Sequence, residues 1–236
     1  MERIQSLHAL GQSIWYDNIE RRLLENGHLE ELIQRGDIRG ITSNPSIFNA
    51  AIGGSHDYDA ALKPLALAGL NAEQIFDQLA IQDIRAAADL FRPLYDETQG
   101  GDGYVSIEVN PLLAADTQGT LEEARRLWKE VDRPNLMVKI PATPEGLDAI
   151  RQSIVAGINI NITLIFSIER YRAVMEAYLM GLEERVSANL PVEHIASVAS
   201  FFVSRMDSKV DARLEEFIHA EGARMEAAQS LLGKAA

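Results

Sequence analysis

The run Asn135-Leu136-Met137-Val138-Lys139-Ile140-Pro141 lies between two amphipathic stretches, Thr120–Val131 before it and Pro144–Val155 after it. The run is short, apolar and closed by a proline, which predicts a buried strand. The flanking stretches repeat apolar residues at intervals of three and four, which predicts helices. A strand between two helices is the repeating unit of a parallel sheet, so this part of the chain predicts an α/β fold.

The same alternation of strand-type and helical stretches extends over the whole chain. Six strands are predicted, at Ser13–Asp17, Ile38–Asn44, Tyr104–Asn110, Asn135–Pro141, Ile160–Ser167 and Ile195–Val203. The longest helical insertion, with helices at Tyr58–Leu67 and Ala72–Tyr95, separates the second strand from the third, and Asp211–Leu232 is predicted to be helical. Gly53-Gly54 is predicted to be a loop. No linker interrupts the pattern, so residues 1–236 are predicted to form a single domain.

Six parallel strands fit two architectures. One is an open doubly wound sheet, and the other is a (β/α)8 TIM barrel with about six of its eight strands in this chain. A barrel typically takes about 250 residues. Because the helical insertion uses up length, we expect the 236 residues to end before the eighth strand. The second reading therefore predicts a barrel that is incomplete at its C-terminus.

Composition and charge restrict the possible partners. The net charge of −13 argues against nucleic acid, whose binding depends mainly on lysine and arginine at phosphates. A small phosphorylated substrate remains compatible with this charge if one or two arginines form a local anion site. The N-terminus has no apolar core like that of a signal peptide, and no run approaches the length of a membrane span. We therefore expect a cytoplasmic protein with no membrane partner.

Polar residues recur on one face of successive strands. Alternate residues of a strand point to opposite sides, and a parallel strand covered by helices should be apolar on both. Here one side carries a polar residue near the C-terminal end of strand after strand, where βα barrels have their active sites. The polar residues that share this side are Asp17, Thr42, Asn44, Ser106, Glu108, Asn161 and Thr163.

Lys139 is the strongest candidate for a nucleophile. It is the only one of the five lysines that stands in strand-type sequence. Removal of a lysine from water favours the neutral amine, which can attack a carbonyl and form a Schiff base. Such a reaction needs proton carriers, and Glu108 and Asp17 are the carboxylates on the same face. This combination predicts a Schiff-base aldolase, in which cleavage of a carbon–carbon bond sends electrons into the imine.

Arg205 follows the sixth predicted strand, where a guanidinium could hold a substrate phosphate. The alternative is a surface arginine that pairs with Asp207 or Asp211. The five histidines show no metal-ligand spacing, and the absence of cysteine excludes a thiolate site, so we expect no metal and no cofactor that depends on cysteine.

Taken in order, these blocks resemble the transaldolase family over essentially the whole chain. The matching blocks are Ile14–Asn18, Gly40–Ser46, Val105–Val109, Val138–Thr143, Gly157–Ser167 and Ser200–Arg205. The resemblance implies a (β/α)8 barrel of the class I aldolase type. It also implies transfer of a dihydroxyacetone unit between sedoheptulose 7-phosphate and glyceraldehyde 3-phosphate, in the pentose phosphate pathway, without metal or organic cofactor.

The resemblance also implies a role for each matching residue. Lys139 would form the Schiff base, Glu108 and Thr163 would hold a catalytic water, and Asp17 would act on the C4 hydroxyl of the sugar. Other residues would bind substrate: Asn44 and Asn161 through its hydroxyls, Ser200 at the dihydroxyacetone unit, Arg205 at the phosphate, and Thr42 beside Asn44.

The chain departs from the family's pattern near its end. The seventh and eighth strands, with part of the phosphate site, have no counterpart in the sequence. We therefore expect a truncated or split form that is poorly active unless a second chain or self-association completes the barrel. Two alternatives stay open: another class I aldolase, such as a fructose 6-phosphate or deoxyribose phosphate aldolase, and an inactive fragment that serves as a complementation partner.

Overall fold

The structure, a computed structural model, describes residues 2–220 and 222–235. Its centre is one sheet of six strands, in which every neighbouring pair is parallel. The strands are β1 Trp15–Tyr16, β2 Gly40–Ile41, β3 Tyr104–Glu108, β4 Leu136–Pro141, β5 Ile160–Ile165 and β6 Ser197–Phe201. Their spatial order is β1-β2-β3-β4-β5-β6, the same as their order in the chain.

This strand order decides between the two predicted architectures. A doubly wound sheet reverses its order at a switch point, whereas strands of a (β/α)8 barrel follow one another around the sheet. The sequential order confirms the barrel prediction, with six strands present. The helices are α1 Glu2–Ala9, α2 Arg21–Glu25, α3 His28–Gln34, α4 Pro45–Gly54, α5 Asp59–Leu67, α6 Ala72–Glu97, α7 Thr117–Val131, α8 Pro144–Val155, α9 Ile168–Ser187, α10 Val203–His219 and α11 Met225–Leu231.

Side-chain caps start the helices soon after the strands end. The side chains of Asp116, Thr143 and Ser167 accept hydrogen bonds from backbone N–H groups in the first turns of α7, α8 and α9. Such caps satisfy N–H groups that have no partner within the helix. Because these connections are short, the C-terminal ends of the central strands lie together at one edge of the sheet.

The core lies between the central strands and the helices that cover them. Every residue of β4 is buried, and α7 turns Leu121, Ala124, Leu127 and Val131 towards the sheet. In contrast, β6 is only partly covered, and Ala199 at its centre is exposed. The sheet is open at its two outer strands, β1 and β6, and β6 is the longer of the two. No helix in the described part of the chain is long and apolar enough to cross a membrane.

The C-terminal helical prediction was wrong in its bounds. Instead of one helix at Asp211–Leu232, the structure has α10 from Val203 and a separate α11 from Met225. The helix starts earlier because Met206, Val210 and Leu214 continue one apolar stripe at a spacing of four. Arg205, which follows β6 as predicted, therefore lies in the first turn of α10.

Two smaller predictions also need correction. Gly53-Gly54 forms the last turn of α4 and is not a loop. The alternation of Ile160, Ile162 and Leu164 in the sequence predicts that these three residues share the apolar side of β5, but it fails at Leu164 because the register with β6 shifts between Ile162 and Ile165. Leu164 has φ of 61° and turns towards the polar face instead.

Candidate active site

A pocket of about 710 Å³ opens at the C-terminal ends of the strands. It brings together residues from the loop after β1, the start of α4, the strands β3, β4 and β5, and the first turn of α10. Of the predicted site residues, those that line this pocket are Asp17, Asn44, Glu108, Lys139, Thr163 and Arg205. Thr42, Asn161 and Ser200 are not in its lining.

Lys139 lies on the floor of this pocket, on the buried strand β4. Its residue exposure is 6%, whereas the other four lysines are all exposed. The Nζ atom lies 3.2 Å from Oε2 of Glu108 and donates a hydrogen bond of 3.2 Å to the carbonyl oxygen of Ser43. The amine is thus held between β3 and the segment after β2, with its reactive end facing the pocket.

Burial changes the acidity of Glu108. Loss of solvent raises the pKa of this carboxyl above its ordinary value, although the neighbouring cations Lys139 and Arg205 act in the opposite direction. A negative charge on Asp17 also raises it. A carboxyl with a raised pKa keeps its proton to higher pH and can exchange it with a reacting group, as general acid–base catalysis requires.

Asn161 is fixed beneath the pocket by two hydroxyl groups. Its Nδ2 donates to Oγ of Ser106 at 3.0 Å, and Oγ of Ser200 donates to its Oδ1 at 3.0 Å. Asn161 is also the register partner of Lys139 across β4 and β5. The hydrogen-bonded row Ser106–Asn161–Ser200 therefore spans from β3 to β6 beside the lysine and fixes the orientation of the amide.

Two predicted hydroxyl groups are buried and have no hydrogen-bond partner among the described residues. Oγ1 of Thr42 and Oγ1 of Thr163 make no hydrogen bond within the described residues. Buried polar atoms are nearly always paired with protein or ordered water. Thr163 lines the pocket and Thr42 does not, so the hydroxyl of Thr163 is the one beside the space that a substrate would fill.

Asn44 has a structural role in addition to its place in the pocket. Its Oδ1 accepts a hydrogen bond of 3.0 Å from the backbone N–H of Ile47 and caps α4. The sequence Asn44-Pro45 is typical of a helix start, with the cap residue followed by proline in the first turn. The first turn of α4, including Ser46, forms one wall of the pocket.

Arg205 closes the opposite wall. Its guanidinium carbon lies 4.3 Å from the centre of the Phe202 ring, a cation–π contact. In the part of the chain that the structure describes, Arg205 forms no ion pair with a carboxylate, so the predicted alternative of pairing with Asp207 or Asp211 is not observed. The oxygens of those two aspartates instead accept backbone N–H groups of Ala235 and Gly233.

No group of three or more histidine, aspartate and glutamate side chains among residues 2–220 and 222–235 is arranged to hold a metal ion. A lysine amine can instead attack a carbonyl carbon, and a neighbouring carboxyl with a raised pKa can exchange a proton with the product of that attack.

Residues 14–232 match the family described as Transaldolase/Fructose-6-phosphate aldolase. The chain belongs to this family.

Curated relatives within the transaldolase/fructose-6-phosphate aldolase family are about half identical to the chain. Transaldolase 1 of Streptomyces avermitilis is 50% identical over 236 residues, which are 100% of this chain and 61% of the relative. The transaldolase of Thermobifida fusca is 51% identical over 90% of this chain and 58% of its own length. That of Saccharopolyspora erythraea is 49% identical over 99% and 61%. The chain thus spans about three fifths of the length of these relatives.

Several residues at the site were not predicted as site residues, among them Leu164, Phe202 and Ser106. Leu164 and Phe202 contribute apolar surface to the pocket, and Ser106 orients the amide of Asn161. Ser106 could have been found, because it shares the polar strand face with Glu108. Leu164 and Phe202 could not, because apolar residues at strand ends read as core.

Proposed function

We propose that this chain carries the chemistry of a transaldolase, with Lys139 as the Schiff-base amine. The carrying observation is the buried lysine whose Nζ lies 3.2 Å from the Glu108 carboxyl at the floor of a strand-end pocket. The relatives named transaldolase support the same chemistry. The proposed reaction moves a dihydroxyacetone unit between sedoheptulose 7-phosphate and glyceraldehyde 3-phosphate, in either direction.

The first step is formation of the imine. The neutral Nζ of Lys139 attacks C2 of the ketose phosphate, and the carbinolamine then loses its oxygen as water after Glu108 supplies a proton. The raised pKa of Glu108 supports this role, because the carboxyl can hold a proton before it donates it. Thr163, whose hydroxyl is buried beside the pocket and has no partner in the described part of the chain, would hold the water through which the proton passes.

The second step is cleavage of the carbon–carbon bond. Asp17 takes the proton from the C4 hydroxyl, the bond between C3 and C4 breaks, and its electron pair moves into the protonated imine to give an enamine. The aldehyde phosphate leaves, and the dihydroxyacetone unit stays bound to Lys139. Attack of the enamine on an acceptor aldehyde, followed by hydrolysis of the imine, reverses these steps and completes the transfer.

In the proposed complex, one cation binds the phosphate of the sugar and polar side chains bind the rest of the sugar. Arg205, exposed at the pocket wall and without a carboxylate partner in the described chain, would hold the phosphate. Asn44 would contact a substrate hydroxyl through its amide. Asn161 and Ser200, which are joined by a hydrogen bond, would orient the dihydroxyacetone unit. The hydroxyl of Thr42 would also bind the substrate. The proposed chemistry uses no metal and no organic cofactor.

We further propose that activity depends on additional polypeptide at the β6 edge of the sheet. The outer strand β6 is half-exposed, and the adjoining α9 exposes apolar side chains that include Ile168, Met175 and Leu179. Unpaired strand edges are sites where another chain adds. A second chain or a second copy would cover this surface. The setting we propose is the pentose phosphate pathway in the cytoplasm.

Fructose 6-phosphate aldolase activity is the second candidate, since the matched family includes it. It would use the same lysine but release free dihydroxyacetone instead of passing it to an acceptor aldehyde. The long helical insertion α4–α6 between β2 and β3 favours the transaldolase reading. A third reading is an inactive fragment whose open edge serves only as a complementation partner.

Borohydride reduction in the presence of fructose 6-phosphate, followed by peptide mass mapping, tests the nucleophile. An adduct on Lys139 supports the proposal, and an adduct on a different lysine would refute it. Product analysis with and without glyceraldehyde 3-phosphate separates transfer from simple cleavage. Both assays are run on the chain alone and with the C-terminal part of the Streptomyces avermitilis relative added. Lack of adduct in both conditions favours the inactive fragment.

A further inference from the structure

Leu164, near the end of β5, has a backbone conformation that leucine rarely adopts. Its φ is 61°, a left-handed value at which Cβ crowds the following carbonyl oxygen. Three other non-glycine residues of the described chain share a positive φ: Gln99, Asp132 and Asn189. All three are polar and stand at the ends of helices, where a left-handed residue is a common way to terminate. Leu164 is apolar and lies within a strand.

The register between β5 and β6 shows what this conformation does. Ile162 pairs with Ala199 and Ile165 pairs with Phe201, so the two residues between them oppose Ser200 alone. This is a β-bulge, a device that redirects side chains next to active sites. In a regular strand, neighbouring residues face opposite sides. Here the consecutive residues Thr163 and Leu164 both line the pocket.

Hydrogen bonds on both sides hold the bulge in place. The carbonyl of Thr163 accepts a bond of 2.8 Å from the backbone N–H of Ala142, and the carbonyl of Ile165 accepts one of 2.9 Å from Phe202. The left-handed residue is thus clamped between the β4 side and the β6 side. Backbone strain of this kind persists only where the surrounding structure fixes it, and it is concentrated at functional sites.

We propose that the bulge at Leu164 is a positioning element that holds the Thr163 hydroxyl in the pocket beside the lysine and its carboxylate. The inference rests on the proposed function, in which that hydroxyl holds the water used by Glu108. The residue Thr163 is 1% exposed, and its hydroxyl oxygen has no hydrogen-bond partner among the described residues. Its orientation therefore depends on the backbone that carries it, and Leu164 acts through Thr163 without touching the reacting atoms.

Two substitutions at the bulge separate the backbone from the side chain. L164A and L164G both remove the leucine side chain, but only glycine adopts the left-handed conformation without strain. The L164G protein should therefore unfold at higher urea concentration than L164A. The same comparison at Asn189, with N189A and N189G, gives the size of this backbone effect at a left-handed position far from the pocket. Equal midpoints for L164A and L164G would overturn the strain premise.

The positioning role is tested by measuring the rate at which fructose 6-phosphate forms the adduct with Lys139. Glycine keeps the two backbone hydrogen bonds but can also leave the left-handed conformation, so Thr163 should lose its fixed orientation and L164G should slow trapping by about tenfold to hundredfold. The sugar concentration for half-maximal trapping should stay within about twofold. In a T163V background, where no hydroxyl remains to be positioned, L164G should change the rate less than about twofold. N189G should leave trapping unchanged.

Each outcome bears on one proposal only. A wild-type rate in L164G, or equal rate losses from L164G with and without the Thr163 hydroxyl, would overturn the positioning role while Lys139 chemistry stands. If the wild-type protein forms no adduct, the proposed function fails. The positioning role of the bulge is then tested by NMR scalar couplings, which report the rotamer of the Thr163 side chain. One rotamer in wild type and L164A with averaging in L164G supports positioning, whereas one rotamer in all three refutes it.

Discussion

Nζ of Lys139 lies 3.2 Å from Oε2 of Glu108, and the two residues are register partners on adjacent parallel strands. Side chains of register partners project from the same face at the same height, so the backbone itself brings amine and carboxyl together. Their side chains are only 8% and 13% exposed. Breaking a buried pair by removal of one partner is usually expensive, which makes both residues suitable for tests that combine stability with chemistry.

Replacement of Lys139 by methionine should abolish the borohydride-trapped adduct, because no amine then faces the pocket. The matched control is K129M on α7, which removes an exposed lysine and should leave the trapped fraction unchanged. Intact-mass spectrometry after reduction measures both. Residual adduct in K139M at the wild-type level would show that a different lysine reacts.

Replacement of Glu108 by glutamine should slow imine formation by about a hundredfold to ten-thousandfold, the usual contribution of a positioned acid–base group. The adduct should still form on Lys139, but more slowly than in the wild-type protein. Stopped borohydride reactions over a time course give the rate. A rate unchanged within about twofold would remove Glu108 from the proton transfer, whatever the final yield of adduct.

The same substitution makes a prediction about stability and pH. Burial raises the folded-state pKa of Glu108, so the folded protein takes up this proton more readily than the unfolded chain. The resulting stabilisation is complete below the unfolded pKa and is lost as pH rises through the raised folded value. Glutamine does not titrate, so E108Q should gain stability relative to wild type as the pH rises from the ordinary value of 4.5 through the raised folded-state pKa.

Urea unfolding of both proteins at several pH values in that window measures this difference. Contributions from the other carboxyl groups are common to the two proteins and cancel in the comparison, as does any constant effect of losing the contact with Lys139. A difference in unfolding free energy that is independent of pH would contradict a raised pKa at Glu108.

Replacement of Asp17 by asparagine should separate the two halves of the reaction. Imine formation needs Lys139 and Glu108 and should continue, whereas cleavage needs a base at the C4 hydroxyl and should stop. With fructose 6-phosphate, D17N should therefore carry the whole six-carbon sugar as its reduced adduct, and wild type the three-carbon unit. Mass spectrometry distinguishes them directly, and a three-carbon adduct in D17N would exclude Asp17 as the base.

Much of this arrangement could be predicted from the sequence, because strand periodicity and polar side chains are local properties. The alternation in β3 and β4 correctly placed Glu108 and Lys139 on one face. The helix from Pro144 to Val155 was predicted to the residue, because a threonine cap, a proline and an apolar stripe define it. The sheet order was not available from such patterns, since it depends on which strands pair in space.

What could not be predicted from the sequence depends on contacts between distant segments of the chain. Leu164 looks like a regular member of an apolar strand face, and only the pairing with β6 reveals the bulge that turns it. That Asn161 and Ser200 bind substrate stays a prediction, but the sequence did not show that Asn161 accepts a hydrogen bond from Ser200 and donates one to Ser106. Hydrogen bonds between distant segments leave no periodic signal, so sequence could name these residues but not their partners.

A buried ionic cluster anchors the helical insertion to the rest of the fold. Arg21 at the start of α2 donates from Nε and Nη2 to Oδ1 of Asp83 on α6, at 2.9 and 2.7 Å. The hydroxyl of Tyr58 donates to Oδ2 of the same carboxylate at 2.7 Å and accepts the backbone N–H of Arg21 at 3.0 Å. Burial raises the pKa of Tyr58, which keeps its hydroxyl protonated as a donor.

Removal of one member of this cluster should destabilise the protein strongly, because Asp83 is 2% exposed and would lose its counter-charge. We expect R21M to lower the free energy of unfolding by about 3–5 kcal/mol and Y58F by about 1–3 kcal/mol. The exposed pair Arg213–Glu216 offers the control, and R213M should change stability by less than about 1 kcal/mol. Urea unfolding monitored by circular dichroism ranks the three variants. Equal effects of R21M and R213M would mean that the cluster is not the anchor, and that apolar contacts alone hold α5 and α6 against α2.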